Sequence, residues 1–543
     1  MSVLGQRAPV GRALRVGAML FLVSALAVAA TLVVGGAMSA RAAFAATGNI
    51  VVPDEVQRGG LRIRKLVPLD SRTDMSQSDR DRYAGMQGDT SVIGTEFTIY
   101  LAKGNPVYVG GRAFGVGEAI MTICVDSASG VAETPNNHLP YGTYIVRETK
   151  VMPGQYPAKN ADGSAWQREV VIHSDMTVVD AGTVENPTWK GSLSVTKRDS
   201  ELGTAQGEGT LAGTRFSVWN RSEAPVIYQG NVVLPDNKVA DLVTDANGYA
   251  ELPASSLDYG TYEVIEDAPP TGYLPVDGGN WSSGEIIIRR ENFTGRVEAP
   301  VCANPVIRGG LRLYKYDIER LSSGEDTHVA QGDGDLDAEY TVYSLNDQHV
   351  KVGGSVYLKD EAVVTLKAND YDGSWSVPGN MLPYGTYVVR ETKAPRGYHI
   401  DSDWSYQFSV RDNGRVYGPT AEQSNQNQVV RGGIRVIKID KDSESVVPQG
   451  DASFNGIEIQ VFNVSDHAVY YNGRWFQPNS AEPLTTMTMT SGVAQTGQAD
   501  LSFGRYRLRE SKVPAGGGYR LNPGWQPVVE VRNEGEWAID TSM

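Results

Sequence analysis

The chain has 543 residues, enough for about three to five domains. Its 41% hydrophobic and 21% charged content is that of a folded protein and excludes wholesale disorder, while 60 glycines beside 27 prolines point to many tight turns without a collagen period. A net charge of −15, from 49 basic and 64 acidic residues, excludes the clustered cationic surface that nucleic-acid phosphates require.

The first element in chain order is an export signal. Arg7, Arg12 and Arg15 precede an apolar run from Ala18 to Val34, and Ala43-Phe44-Ala45 has the small-x-small form of a cleavage site. Residues 1–46 are therefore expected to be a signal peptide, with an uncleaved anchor as the alternative because the run is slightly long; residues 47–57 read as a linker. Cys124 and Cys302 are too few for a disulfide framework and are expected to be buried free thiols. The six histidines are scattered without metal-ligand spacing, so no metal, cofactor or small-molecule substrate is expected.

Beyond residue 57 the chain repeats itself. Four openings match: RGGLRIRK ending at Lys65, KGSLSVTK at Lys197, RGGLRLYK at Lys315 and RGGIRVIK at Lys438. Each is followed by a Gln-Gly turn (Gln87-Gly88, Gln206-Gly207, Gln331-Gly332, Gln449-Gly450) and later by a YGTY-type strand: LPYGTYIVRETK from Leu139, LDYGTYEVIED from Leu257, LPYGTYVVRETK from Leu382 and LSFGRYRLRESK from Leu501. A tryptophan (Trp166, Trp281, Trp404, Trp525) then precedes a further strand. Short alternating runs broken by Asn-Gly and Asp-Gly pairs, with no 3.6-residue amphipathic stretch, predict hairpins and hence an all-β tandem array of four immunoglobulin-like or prealbumin-like sandwiches. The junctions are three residues long (187–189, 305–307, 428–430), which predicts a semi-rigid rod if neighbouring units touch.

Strand parity supplies the candidate chemistry. Side chains two apart share a face, so Leu61, Ile63 and Lys65 point one way, as do Leu193-Val195-Lys197, Leu311-Leu313-Lys315 and Ile434-Val436-Lys438. The second strand does the same with an acid: Tyr144-Val146-Glu148, Tyr262-Val264-Glu266, Tyr387-Val389-Glu391 and Tyr506-Leu508-Glu510. Each repeat thus aims one lysine and one glutamate into its core. Asn186, Asn304 and Asn427 stand four residues before the next opening, and Val184, Cys302 and Asn425, two before each, share their faces. A lone buried charge costs several kcal/mol; burial favours the neutral amine and the neutral carboxyl. A neutral lysine held against a carboxamide, with a carboxyl to shuttle the proton, can condense to an amide with loss of ammonia. The alternative is a buried Lys–Glu ion pair with asparagine as a hydrogen-bonding neighbour.

The combination of Val195-Thr196-Lys197-Arg198-Asp199, the Tyr384–Tyr398 segment YGTYVVRETKAPRGY and a closing asparagine resembles the Cna protein B-type domain, also called SpaA-type or prealbumin-like. The resemblance covers the chain after about residue 58 and implies domains at 58–187, 188–305, 306–428 and 429–543. It further implies stalks of surface adhesins or pilins of Gram-positive bacteria, on the cell wall, and spontaneous isopeptide bonds promoted by glutamate. Carried over by position, these are Lys65–Asn186 with Glu148, Lys197–Asn304 with Glu266, and Lys315–Asn427 with Glu391. Asp267 stands where the other repeats carry Thr149 and Thr392, which is expected to place an extra acid near the second site.

In the fourth repeat Lys438 and Glu510 are unpaired candidates, because the Glu-to-Asn spacing of 36–38 runs past Met543; the last strand is expected to be incomplete. No sorting motif or apolar tail is found at this end, which reads as truncation or as an unanchored secreted protein. Asp333, Asp335 and Asp337 lack the glycine and glutamate of a calcium loop and are expected to form an acidic turn, and 70–86 an exposed loop. The functional expectation is a structural stalk rather than a turnover enzyme. The alternative is an adhesin whose first domain grips host matrix or glycan; sortase-assembled surface proteins are the other partner class.

Overall fold

The computed structural model describes residues 52–540 apart from 277–278, 280, 290–294, 325–327 and 368–373; the expected signal peptide lies outside the described residues. The chain is 47% strand and 3% helix, arranged as β-sandwiches around four separate apolar cores. Among the described residues, two short α-helices, Gln77–Arg82 and Ile318–Ser323, and one 3-10 turn, Pro68–Ser71, depart from an all-strand reading. The first lies in the expected exposed loop, where Met75 and Tyr83 are buried, so this insertion packs against its own sandwich. Arg72 of the same insertion also donates to the Gly230 carbonyl of the second sandwich at 2.5 Å.

One topology recurs. In the first sandwich the opening strand Arg58–Leu66 pairs in parallel with the closing strand Val178–Glu185. The facing sheet has the order Gln167–Ile172, Gly142–Lys150, Glu96–Lys103, Ala119–Cys124, with the glutamate strand Gly142–Lys150 inside it. The opening strand is buried at Leu61, Ile63 and Lys65 and exposed at Arg62 and Arg64, as alternation requires. The second and third sandwiches repeat this: Lys190–Asp199 lies parallel to Arg296–Glu298 and Cys302–Asn304, and Arg308–Tyr314 with Tyr316–Asp317 parallel to Val416–Tyr417 and Gln426–Asn427. First and last strands of each unit are thus neighbours although more than a hundred residues separate them. In every unit the second tyrosine of the YGTY-type strand is buried and donates to the carbonyl four residues upstream: Tyr144 to Pro140 at 2.6 Å, Tyr262 to Asp258 at 2.9 Å, Tyr387 to Pro383 at 2.9 Å and Tyr506 to Ser502 at 2.6 Å. A phenol that reaches a partner can occupy a core without the cost of an unmet hydroxyl.

The units touch, and by one device. Gln87 Nε2 donates to Asp258 Oδ2 at 2.8 Å and the Gly88 amide to the Pro225 carbonyl at 2.9 Å. Gln206 Oε1 accepts from the Lys351 amide at 3.1 Å and the Gly207 amide reaches the His349 carbonyl at 2.9 Å. Gln331 Oε1 accepts from Ser502 Oγ at 2.8 Å. The first three Gln-Gly turns therefore plug into the next sandwich, whereas Gln449 and Gly450 are exposed. Asp333, expected in a solvated acidic turn, is buried at the last junction, where Arg505 and Arg532 hold it at 3.0 and 3.2 Å. Cys302 is buried, whereas Cys124 is exposed, contrary to expectation; it lies on the outward face of Ala119–Cys124, where alternation buries Ile123 instead.

Candidate functional site

The opening and glutamate strands lie in opposite sheets, so a lysine from one and a glutamate from the other meet across the core. In the first sandwich Lys65 Nζ is 3.1 Å from Glu148 Oε1, both buried. Asn186, on the residue after the closing strand, donates its amide to the same Oε1 at 2.8 Å, and its own carbonyl oxygen is buried with no hydrogen-bond partner. A half-turn of that carboxamide would put its oxygen on Glu148 instead, an arrangement that a protonated glutamate satisfies. Glu148 Oε2 is fixed by the Ala158 amide at 3.1 Å. Burial pushes the Lys65 amine down to about 8, with Glu148 opposing the shift. A fully enclosed lysine is thereby brought near the range where it is a nucleophile at neutral pH.

In the second sandwich Asn304 donates to both Glu266 oxygens, at 2.9 and 3.1 Å. Lys197 is 4.0 Å from Glu266 Oε1 and points its amine to the carbonyls of Arg198 and Cys302 at 3.2 and 3.4 Å; burial lowers its pKa. Asp267 is exposed and accepts from Ser217 at 2.8 Å, so it faces away from this site; parity with Glu266 already required that. Cys302 lies opposite Lys197 in the parallel register, and burial raises the pKa of its thiol.

The third sandwich holds two carboxamides. Lys315 Nζ is 3.0 Å from Glu391 Oε1, to which Asn427 donates at 2.8 Å, again with a buried, unpartnered Asn427 Oδ1. Burial pushes Lys315 down to about 8. Asn425, one residue before the Tyr316–Gln426 pair as Lys315 is, accepts from the Lys315 amine and from the Tyr340 hydroxyl, the latter at 3.0 Å. Its shared face was visible in the sequence, but its closeness to the amine follows from the register.

In the fourth sandwich Lys438 and Glu510 meet at 3.1 Å, yet the lysine side chain is 24% exposed where the other three are 0%. A single parallel bridge joins Gly433 to Trp537, at the position where Gly60 meets Val178. Asn522 donates its backbone amide to Glu510 Oε2 at 3.2 Å, and among the described residues no asparagine carboxamide is hydrogen-bonded to Lys438 or Glu510. A groove of about 630 Å³ runs beside the opening strand, lined by Val436, Lys438, Asp440, Gln449, Tyr519 and Trp525 among others.

The SpaA prealbumin-like fold domain family matches residues 191–282 and 332–424. Solved structures similar to the chain include the Bacillus anthracis TIE protein, at 18% identity over 92% of this chain and 76% of that one with a TM-score of 0.43. BcpA, the major pilin subunit of Bacillus cereus, is 15% identical over 69% of this chain and 100% of that one, with a TM-score of 0.26. The full-length major pilin SpaD from Corynebacterium diphtheriae is 12% identical over 70% and 99%, with a TM-score of 0.20. No curated protein matches the chain.

Proposed function

We propose that the chain is the stalk of a Gram-positive cell-surface adhesin or pilus-like protein, built from four domains (58–187, 188–305, 306–428, 429–543) and welded internally by isopeptide bonds, a reading supported by the match of residues 191–282 and 332–424 to the SpaA prealbumin-like fold domain family. The observation that carries this reading is the same buried lysine, glutamate and asparagine at the meeting of first and last strands in three successive sandwiches.

The bonds are Lys65–Asn186, Lys197–Asn304 and Lys315–Asn427. In each, the neutral amine adds to the carboxamide carbon while the glutamate carboxyl hydrogen-bonds its oxygen; the glutamate then carries a proton from the attacking nitrogen to the leaving one. The carbon–nitrogen bond of the asparagine breaks, ammonia leaves, and the glutamate is regenerated. The protein turns over no external substrate. Tension applied to such a rod is carried from first to last strand through a covalent bond instead of a hydrogen-bonded ladder, a role that exported domains more often give to disulfides.

Intact mass of the chain from residue 47 tests the reading. Three ammonia deficits are expected, one lost in each of Glu148→Ala, Glu266→Ala and Glu391→Ala; a full-mass chain would reduce the clusters to buried ion pairs.

A further inference from the structure

One position varies among the three lysine–glutamate–asparagine clusters: the residue two before the closing asparagine. It is Val184, Cys302 and Asn425 in turn, and all three are buried. Val184 and Cys302 lie across the parallel register from Lys65 and Lys197.

In the second sandwich Cys302 Sγ donates to Asn304 Oδ1 at 3.5 Å. The carboxamide oxygen therefore has a donor there, whereas Asn186 Oδ1 in the first sandwich has none among the described residues. Burial holds the thiol in its protonated form, the form that can donate.

In the third sandwich a donor and an acceptor are both left over. Asn425 Nδ2 and Asn427 Oδ1 are buried without partners among the described residues, on side chains that alternation places on one face. The orientation of Asn425 is fixed, because its oxygen accepts from the Lys315 amine and from the Tyr340 hydroxyl; its amide must point the other way. Tyr340 pairs with Glu391, the place that Phe97 and Phe216 hold beside Glu148 and Glu266. The phenol thus occurs in the sandwich where an asparagine oxygen is there for it to hold. An unpaired buried amide is a cost to the folded state, and a role in the reaction accounts for it.

We propose that the residue two before the closing asparagine is a catalytic hydrogen-bond donor in the second and third sandwiches: the Cys302 thiol and the Asn425 amide bond the carboxamide oxygen as it becomes an oxyanion. This rests on the crosslinking reading above and adds a residue to it. The amine of Lys197 or Lys315 adds to the carboxamide carbon, and the carbon–oxygen π pair moves onto Oδ1, where this donor meets it beside the glutamate carboxyl. The glutamate passes one proton from the attacking nitrogen to the asparagine nitrogen. The oxygen's pair then returns, the carbon–nitrogen bond breaks and ammonia leaves, while thiol and amide keep their protons. A second donor acts on the rate because the charge it meets develops in the transition state, inside a site closed to water. In the first sandwich the Val184 side chain can donate nothing, and the glutamate acts alone.

The test is the rate of each bond. The chain from residue 47, produced as inclusion bodies and dissolved unreacted in guanidinium, is refolded by dilution, and the three crosslinked peptides are quantified by mass after digestion at timed intervals. The two untouched sandwiches of each variant are its internal controls. Losing one oxyanion donor commonly slows a reaction about 10²–10³-fold. Cys302→Val is accordingly expected to slow the Lys197–Asn304 bond at least tenfold, and Asn425→Leu the Lys315–Asn427 bond by as much, with the other bonds unchanged. Valine already serves at this position in the first sandwich, so the fold accommodates it. Cys302→Thr, which has the shape of valine and a hydroxyl, is expected to recover most of the rate. Tyr340→Phe is expected to slow the third bond alone by releasing Asn425, and Val184→Cys to speed the first at least threefold. Given time, every variant is expected to reach three ammonia deficits, which shows that its sandwiches have folded. Rates indifferent to Cys302→Val and Asn425→Leu, or a second bond slowed equally by Cys302→Val and Cys302→Thr, overturn the proposal and leave the crosslinking reading standing. A wild type that forms no bond overturns that reading, and this proposal with it.

Discussion

The third and fourth sandwiches share their opening motif, glutamate strand and buried tyrosine, and differ in what lies along the opening strand. In the third, Gln426–Asn427 pairs beside Lys315 and the lysine is sealed from water. In the fourth, that flank is a groove and Lys438 is partly wet, although its glutamate is as close. Opening and glutamate strands are therefore sufficient to bring amine and acid together; the closing strand dries the pair and delivers the carboxamide. Desolvation is what moves a lysine toward neutrality, so reactivity is a property of the completed sandwich.

The largest expected break in this comparison is Glu391→Ala. Losing a crosslink that closes nearly a whole domain removes about 4–5 kcal/mol by the disulfide analogy. Denaturant unfolding of the third sandwich should then fall toward that of the fourth, whereas Glu510→Ala should leave the mass unchanged.

Next, the two carboxamides of the third sandwich separate by mass: the deficit is expected to persist in Asn425→Ala and to vanish in Asn427→Ala, and the reverse result assigns the bond to Asn425. A pH experiment follows. In Asn186→Ala, Lys65 remains an amine whose folded pKa of about 8 lies below its ordinary 10.5. The folded state binds fewer protons between these values, so stability is reduced below pH 8 and recovers as pH rises toward 10.5, by about 3 kcal/mol. Urea midpoints across that window, compared with Asn186→Ala/Lys65→Met, should show the rise only in the single variant.

The junctions sharpen the same contrast. Gly332→Ala drives a Cβ into the Phe503 carbonyl and should open the third–fourth junction, seen as faster proteolysis there; Gly450→Ala in the isolated chain should cost only its left-handed backbone, about 1–2 kcal/mol. Smallest is Tyr506→Phe, which leaves the Ser502 carbonyl without its donor and should cost about 1–2 kcal/mol without altering any mass.

Much of this architecture was legible without coordinates, because a period of two is a local property. Leu61, Ile63 and Lys65 had to share a face, and so did Tyr144, Val146 and Glu148, whatever the strands packed against. Asp267, by the same parity, had to point outward, and expecting it near the site neglected that rule. The insertion at 70–86 was misjudged because Met75 and Tyr83 find their apolar neighbours elsewhere in the sandwich, which no local pattern discloses.

From the amino-acid order alone come the four repeats, the inward lysines and glutamates, and the shortness of the linkers. Only tertiary structure decided that Asn425 accepts from the Lys315 amine, that Gln87, Gln206 and Gln331 are sealed inside junctions while Gln449 is not, and that Asp333 binds arginines of its neighbour. Parity is set by adjacent peptide units, whereas strand register and domain docking are set by partners a hundred or more residues away, whose choice depends on the whole buried surface.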